Sequence, residues 1–153
     1  MTESERLAAI EEIKQLKAKY WRGVDTSDGE LVRAILAEEC ELDYIGCCTD
    51  PASGVDHMPT MNVVLKGRTS WISNAFKDAG IITVHQGHHS EITVADEAAA
   101  SGIWSFTDRF FLPPGGAFTR LTGYGHYHDT YAKVGGVWLL QTTRITRLWV
   151  EVV

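Results

Sequence analysis

The sequence predicts an α+β fold in which a strongly curved antiparallel or mixed sheet forms a cone around three N-terminal helices. Three observations carry this expectation. Helical periodicity is confined to roughly the first eighty residues. Four extended runs follow, about 81–94, 98–112, 118–134 and 137–152, separated by the turn strings ADE, PPGG and GG. Helices first and a long meander afterwards exclude βαβ alternation. These runs are far longer than the usual strand of about five or six residues, and long strands bend, so the sheet can wrap the helices and leave a pocket between.

Each element has its own local reason. Leu7, Ile10, Ile13, Leu16 and Tyr20 recur every three or four residues, and the apolar stripe continues through Trp21 and Val24. That spacing predicts a first amphipathic helix, with Glu11 and Lys14 as an i,i+3 pair of opposite charge. The string TSDG interrupts it, and Ser27 or Asp28 can cap a second helix containing Leu31, Val32, Ile35 and Leu36. A brief strand is predicted around Glu41–Ile45. Residues 46–64 hold two prolines, two glycines and no sustained period, which reads as a long loop able to close the pocket's mouth. A third helix is expected from Thr69 or Ser70 to about Ala79, stopped by Gly80. Gly135-Gly136 between two extended runs is a hairpin signal.

Composition narrows the function. The chain has 153 residues and a formal net charge of −6, with 14 Lys+Arg against 20 Asp+Glu. With no basic cluster to neutralise phosphates, a nucleic-acid partner is not expected. No apolar run reaches the ~20 residues of a membrane span. The charged N-terminus has no signal-peptide core. Three cysteines, two of them adjacent, do not make a disulfide framework. A cytoplasmic protein is the expectation, with each thiol in a loop or buried.

Five of the six histidines fall in the strand region: His85, His88, His89, His126 and His128. Alternation puts Arg120, Thr122, Tyr124, His126 and His128 on one strand face. That face either lines the concave side as an active-site wall or points outward as a wet surface. Neither HExxH nor CxxC is present, so no metal site is predicted, and no nucleophile elbow or nucleotide-binding glycine pattern occurs. General acid–base chemistry fits better, since it needs a histidine and a group to orient it. Asp25 stands at the end of the first helix, where the helix dipole disfavours a carboxylate. It is either kept for chemistry or caps the next helix. Trp21, Trp71, Trp104, Phe106 and Phe110 are either walls for a cyclic substrate or core. Asp108 is either a pocket carboxylate or a surface partner of Arg109 or Arg120.

Three strings carry a family resemblance: YWRGVDTSDGELVRAILAEECELDY, ITVHQGHHSEI and GYGHYHDTYAKVGGVWLLQTTRITRLW. In order and spacing they resemble the nuclear transport factor 2-like superfamily, in its SnoaL-like and scytalone dehydratase-like branch, from about Leu7 to Trp149. The resemblance implies one SnoaL-like domain over residues 1–153, a cystatin-like α+β barrel, and an Asp–His pair deep in the cone. Carried over residue by residue, that pair is Asp25 and His85. Tyr44 falls at a pocket tyrosine, and His126 (or His128, if the register shifts) at a second pocket histidine. Val24 stands where the dehydratases have a second tyrosine, and Arg144 and Thr146 stand near their small polar residues, which argues against the same substrate.

The expectation is therefore an acid–base enzyme without cofactor, a dehydratase-like lyase or an isomerase. Its substrate would be a small cyclic, aromatic, polyketide or steroid-like molecule. His85, Asp25, Tyr44 and His126 would be catalytic; Trp21, Trp104, Phe106, Asp108, His128 and Arg144 would bind substrate. The alternative is a non-catalytic binder of small hydrophobic ligands. The apolar C-terminal run Leu148, Trp149, Val150, Val152 and Val153 predicts a homo-oligomer, a dimer or trimer.

Overall fold

The computed structural model describes residues 1–72 and 74–153. Helix α1 spans Glu3–Asp25 and opens with a capping box between Thr2 and Glu5, which satisfies two of the helix's orphan amides. Its buried stripe runs through Ala9, Ile13, Leu16, Lys17, Tyr20, Trp21 and Val24. Leu7 is 60% exposed, so the stripe starts one turn later than its spacing predicts. Helix α2 spans Gly29–Ile35, with Asp28 accepting from the Leu31 amide as its cap. Asp25 is thereby free of capping duty.

Six strands form one sheet: β1 (Leu36–Asp43), β2 (Val64–Lys66), β3 (Ile82–Val94), β4 (Ala99–Phe111), β5 (Arg120–Val134) and β6 (Val137–Val152), in the order β2-β1-β6-β5-β4-β3. All pairings are antiparallel except β1 with β6, so the sheet is mixed. Leu36 opens β1 instead of closing α2. β2 begins at Val64, the last residue of the segment expected to be loop, and edge-pairs with β1. Gly135 and Gly136 take φ of 58° and 84° in the final hairpin, a backbone that favours glycine.

The expected third helix is split. A 3-10 turn covers Arg68–Ser70, Trp71 is extended (φ −62°, ψ 122°), and α3 covers only Ala75–Asp78; Ser73 lies outside the described residues. Trp71 leaves the helical path to set its ring edge-on to Tyr20 at 6.2 Å, a tertiary contact that outweighs local propensity.

Bulges shape the sheet. Along β6 the register skips Gln141 and again Leu148, while β3 carries an extra residue between Gly87 and Ser90. Each extra residue increases twist and reverses which parity points inward. On β6 the inward side chains run Trp138, Leu140, then Thr143, Ile145 and Arg147, then Val150.

α1 is pinned to the concave face by charge as well as by apolar packing. Lys17 is wholly buried, its Nζ 2.8 Å from Asp129 Oδ2 and 3.7 Å from the centre of the Tyr127 ring. Asp129 also accepts from Tyr131 and Thr143, and Tyr131 accepts from Trp104 Nε1. A buried charge pair needs such additional partners to offset its desolvation.

Candidate active site

Between the concave face and the helical segments lies a cavity of about 310 Å³. α1 contributes Tyr20 and Val24. The chain after β1 contributes Tyr44, Cys47, Met61 and Val63, and the α3 segment contributes Trp71 and Phe76. From the sheet come His85, Asp108, Phe110, Tyr127, Ile145 and Arg147. The wall is apolar apart from the histidine, one carboxylate, one guanidinium, three phenols, the Thr60 hydroxyl and the Cys47 thiol, the pattern expected of a small-molecule site.

Asp25, the last residue of α1, faces the start of β3. Its Oδ1 is 2.6 Å from His85 Nδ1 and accepts from Thr83 Oγ1 at 2.9 Å, while Oδ2 accepts from the His85 amide at 2.8 Å. These three bonds hold the carboxylate against β3 and assign the Nδ1 proton to the shared bond, so the Nε2 lone pair remains available. Nε2 lies 3.9 Å from Asp108 Oδ2.

Arg147 grips Asp108 through both terminal nitrogens, at 2.8 and 2.9 Å, and its Nε donates to the Cys47 carbonyl at 2.6 Å. Burial opposes the Arg147 charge, but the adjacent carboxylate outweighs it and holds the guanidinium's pKa above its ordinary value. Three of the five guanidinium protons are used, which leaves two for a ligand. The ion pair has room because β5 carries Gly123 opposite it: a Cβ there would stand 2.4 Å from an Arg147 terminal nitrogen and 2.5 Å from Asp108 Oδ1. Sequence reading missed Arg147. Glycine inside a strand, as at Gly123 and Gly125, was the available signal, since it marks a close approach.

The phenols of Tyr20 and Tyr44 meet at 2.5 Å. Burial raises the pKa of Tyr44 well above its ordinary value, and Tyr20 and Tyr127 add to the effect. Both hydroxyls therefore stay protonated, and the one that accepts keeps a proton to offer.

The remaining expected residues go elsewhere. His126 and His128 lie on the convex face, half-buried, paired across the sheet with Thr146 and Arg144. His128 Nε2 bonds Thr146 Oγ1 at 2.8 Å, and burial followed by Arg144 and His126 lowers its pKa. The polar face of β5 thus points outward, and Arg144 is exposed. Alternation holds along β5, with Leu121, Gly123, Gly125, Tyr127 and Asp129 inward; on β6 the bulges at Gln141 and Leu148 leave Arg144 with the outward set. Phe106 is core, its ring 4.3 Å from that of Tyr127. Trp21 packs edge-on against Trp104 and Tyr127, both at 5.8 Å. Trp21 and Trp104 line a separate outer hollow beside His88 and His89. Among the described residues no group of three His, Cys, Asp or Glu side chains is arranged to hold a metal ion, and no helix is long and apolar enough to cross a membrane.

Residues 5–144 match the SnoaL-like domain family, and the chain belongs to it. It is 28% identical over 160 residues to a probable cyclase of Gibberella zeae, covering 97% of this chain and 96% of the relative. Solved structures share its fold, and two of them serve as examples. One is a provisionally assigned scytalone dehydratase of Novosphingobium aromaticivorans: TM-score 0.76, 19% identity, 98% of this chain and 91% of that one. The other is a hexachlorocyclohexane dehydrochlorinase of Novosphingobium barchaimii: TM-score 0.77, 16% identity, 99% and 94%. Both likenesses are of fold, the same α+β cone of helices against a curved sheet.

Proposed function

We propose that this chain is an acid–base enzyme that eliminates water from, or isomerises, a small cyclic or aromatic carbonyl compound of polyketide-like or steroid-like character. The observation that carries the reading is the 2.6 Å contact between Asp25 and His85 Nδ1 at the wall of an apolar cavity. A histidine oriented by a carboxylate, with its second nitrogen free, is equipped for proton abstraction.

The roles follow from the surroundings. His85 Nε2 takes the proton from the carbon next to the carbonyl, and the imidazolium that results stands between the Asp25 and Asp108 carboxylates. The carbon's electron pair moves into the carbonyl. Its oxygen gains negative charge beside the spare Arg147 protons and the Tyr20–Tyr44 pair, donors fixed in place before reaction. For elimination, the imidazolium returns its proton to a departing β-hydroxyl and water leaves. For isomerisation the proton returns to a different carbon. Every group needed belongs to the chain, so the scheme calls for no cofactor. The likeness to a probable cyclase and to a hexachlorocyclohexane dehydrochlorinase supports an enzymatic role.

The test is turnover of a panel of cyclic β-hydroxy ketones, read by mass spectrometry as loss of water, beside thermal stabilisation. His85→Ala and Asp25→Asn should each lower turnover by about two to four powers of ten. Undiminished turnover in both folded variants would reject the dyad. Stabilisation without product across the panel would favour the ligand-binding alternative.

The same proposal includes self-association through the convex face, where Leu148 is 65% and Trp149 48% exposed.

A further inference from the structure

The turn after β1 carries two adjacent thiols and sets the first of them against the cavity. Cys47 lines the wall, 3% exposed, and Cys48 lies beside it, 1% exposed, their sulfurs 3.8 Å apart. The turn is held in place because the Cys47 carbonyl accepts from Arg147 Nε, which brings a permanent positive charge next to the pair. The acid–base scheme uses neither sulfur.

We propose that Cys47 is a covalent attachment site for small cyclic α,β-unsaturated ketones that enter the cavity, with Cys48 as the hydrogen-bond donor that supports the Cys47 thiolate. A thiolate is the reactive form of cysteine, and neighbouring cations and donors favour it. The bond from Cys48 and the Arg147 charge lower the Cys47 pKa, against burial and the Asp108 and Asp56 carboxylates, which raise it. The same sulfur–sulfur bond raises that of Cys48, and burial raises that of Cys40. Of the three thiols only Cys47 lines the cavity, which gives the selectivity its geometric basis.

The ligand class follows from the wall around the sulfur. Apolar side chains accept a ring, and the spare Arg147 protons and the tyrosine pair accept one carbonyl oxygen. An enone held by that oxygen is polarised toward attack at its β-carbon. Cys47 Sγ forms a bond to the β-carbon, the carbon–carbon π pair moves toward the α-carbon and oxygen, and the α-carbon then takes up one proton. The thiol hydrogen is in effect transferred to the α-carbon, with nothing oxidised overall and no leaving group. Compounds of this class are also what a β-hydroxy ketone becomes on losing water. Attachment needs only the cavity and not the His85 chemistry, so the two readings fail separately.

The experiment incubates the full chain with cyclohex-2-enone, follows intact mass, and maps the modified peptide. The expected result is a single adduct on Cys47, formed at least about tenfold faster than on Cys40 or Cys48, and retained in His85→Ala. In Cys48→Ala the Cys47 reaction should slow and its rate should rise only at higher pH. A first adduct on Cys40 or Cys48, or a folded chain that stays unmodified while the urea-unfolded chain reacts, would overturn the site. An unchanged rate and pH profile in Cys48→Ala would overturn the donor role.

Discussion

Arg147 holds both carboxylate oxygens of Asp108, at 2.8 and 2.9 Å, with side chains only 3% and 2% exposed. The pair joins β6 to β4 across the intervening β5 and sets a fixed charge arrangement 3.9 Å from His85 Nε2.

Breaking this pair from one side strands a buried charge. Arg147→Met should destabilise the fold by about 3–5 kcal/mol, because the Asp108 carboxylate loses its partner. Arg147→Met combined with Asp108→Leu should recover most of that loss. Urea unfolding of the two variants checks it, and a double variant no more stable than the single one would contradict the argument.

Gly123 is a packing requirement of the site. A methyl group there meets Arg147 at 2.4 Å and Asp108 at 2.5 Å, so Gly123→Ala should cost about 1–3 kcal/mol, as overpacking does, and displace the ion pair. Gly116→Ala, whose nearest neighbour would be 3.8 Å away, serves as the control. Equal stability of both variants would show that the pair does not depend on the space at Gly123.

Lys17 gives a pH dependence of definite sign. Burial lowers its pKa from the ordinary 10.5, with Asp129 opposing. Between its folded-state value and 10.5 the unfolded chain binds more protons than the folded one, so this group makes stability rise with pH across that window. Above about 10 the buried tyrosines act in the opposite direction, because their folded-state values are raised. Urea midpoints followed up to pH ~10 should climb more steeply in the wild type than in Lys17→Met. Parallel curves would rule out the buried ammonium as their source.

Self-association through the convex face predicts a dimer or trimer by light scattering at micromolar concentration. Trp149→Glu, which places a charge at the exposed apolar patch, should shift it to monomer. A wild-type monomer would remove the proposal.

How much of this was legible in the sequence depended on how local each cause is. The β5–β6 hairpin follows from Gly135-Gly136, and the start of α2 from Asp28, since turn and cap chemistry act within a few residues. Asp25 and Tyr44 could be picked out by position, and His85 by the string around it, and the fold brings Asp25 against His85 and Tyr44 to the same cavity. His126 and Arg144 face outward: alternation groups His126 with Tyr124 and His128 but cannot say which face of β5 looks inward, and on β6 it cannot count the extra residues at Gln141 and Leu148. Trp71 looked helical until its contact with Tyr20 drew it away.

The sequence by itself determined the first two helices, the last four strands with their lengths and the turns between them, because periodicity and turn residues are short-range properties. The tertiary structure alone decided which strand faces look inward and that Arg147 should meet Asp108 across Gly123. It also decided that Lys17 should be buried on Asp129 and that Cys47 should reach the cavity wall. Those outcomes depend on strand register and on contacts between residues up to 112 positions apart, such as Lys17 with Asp129, and no local pattern encodes them.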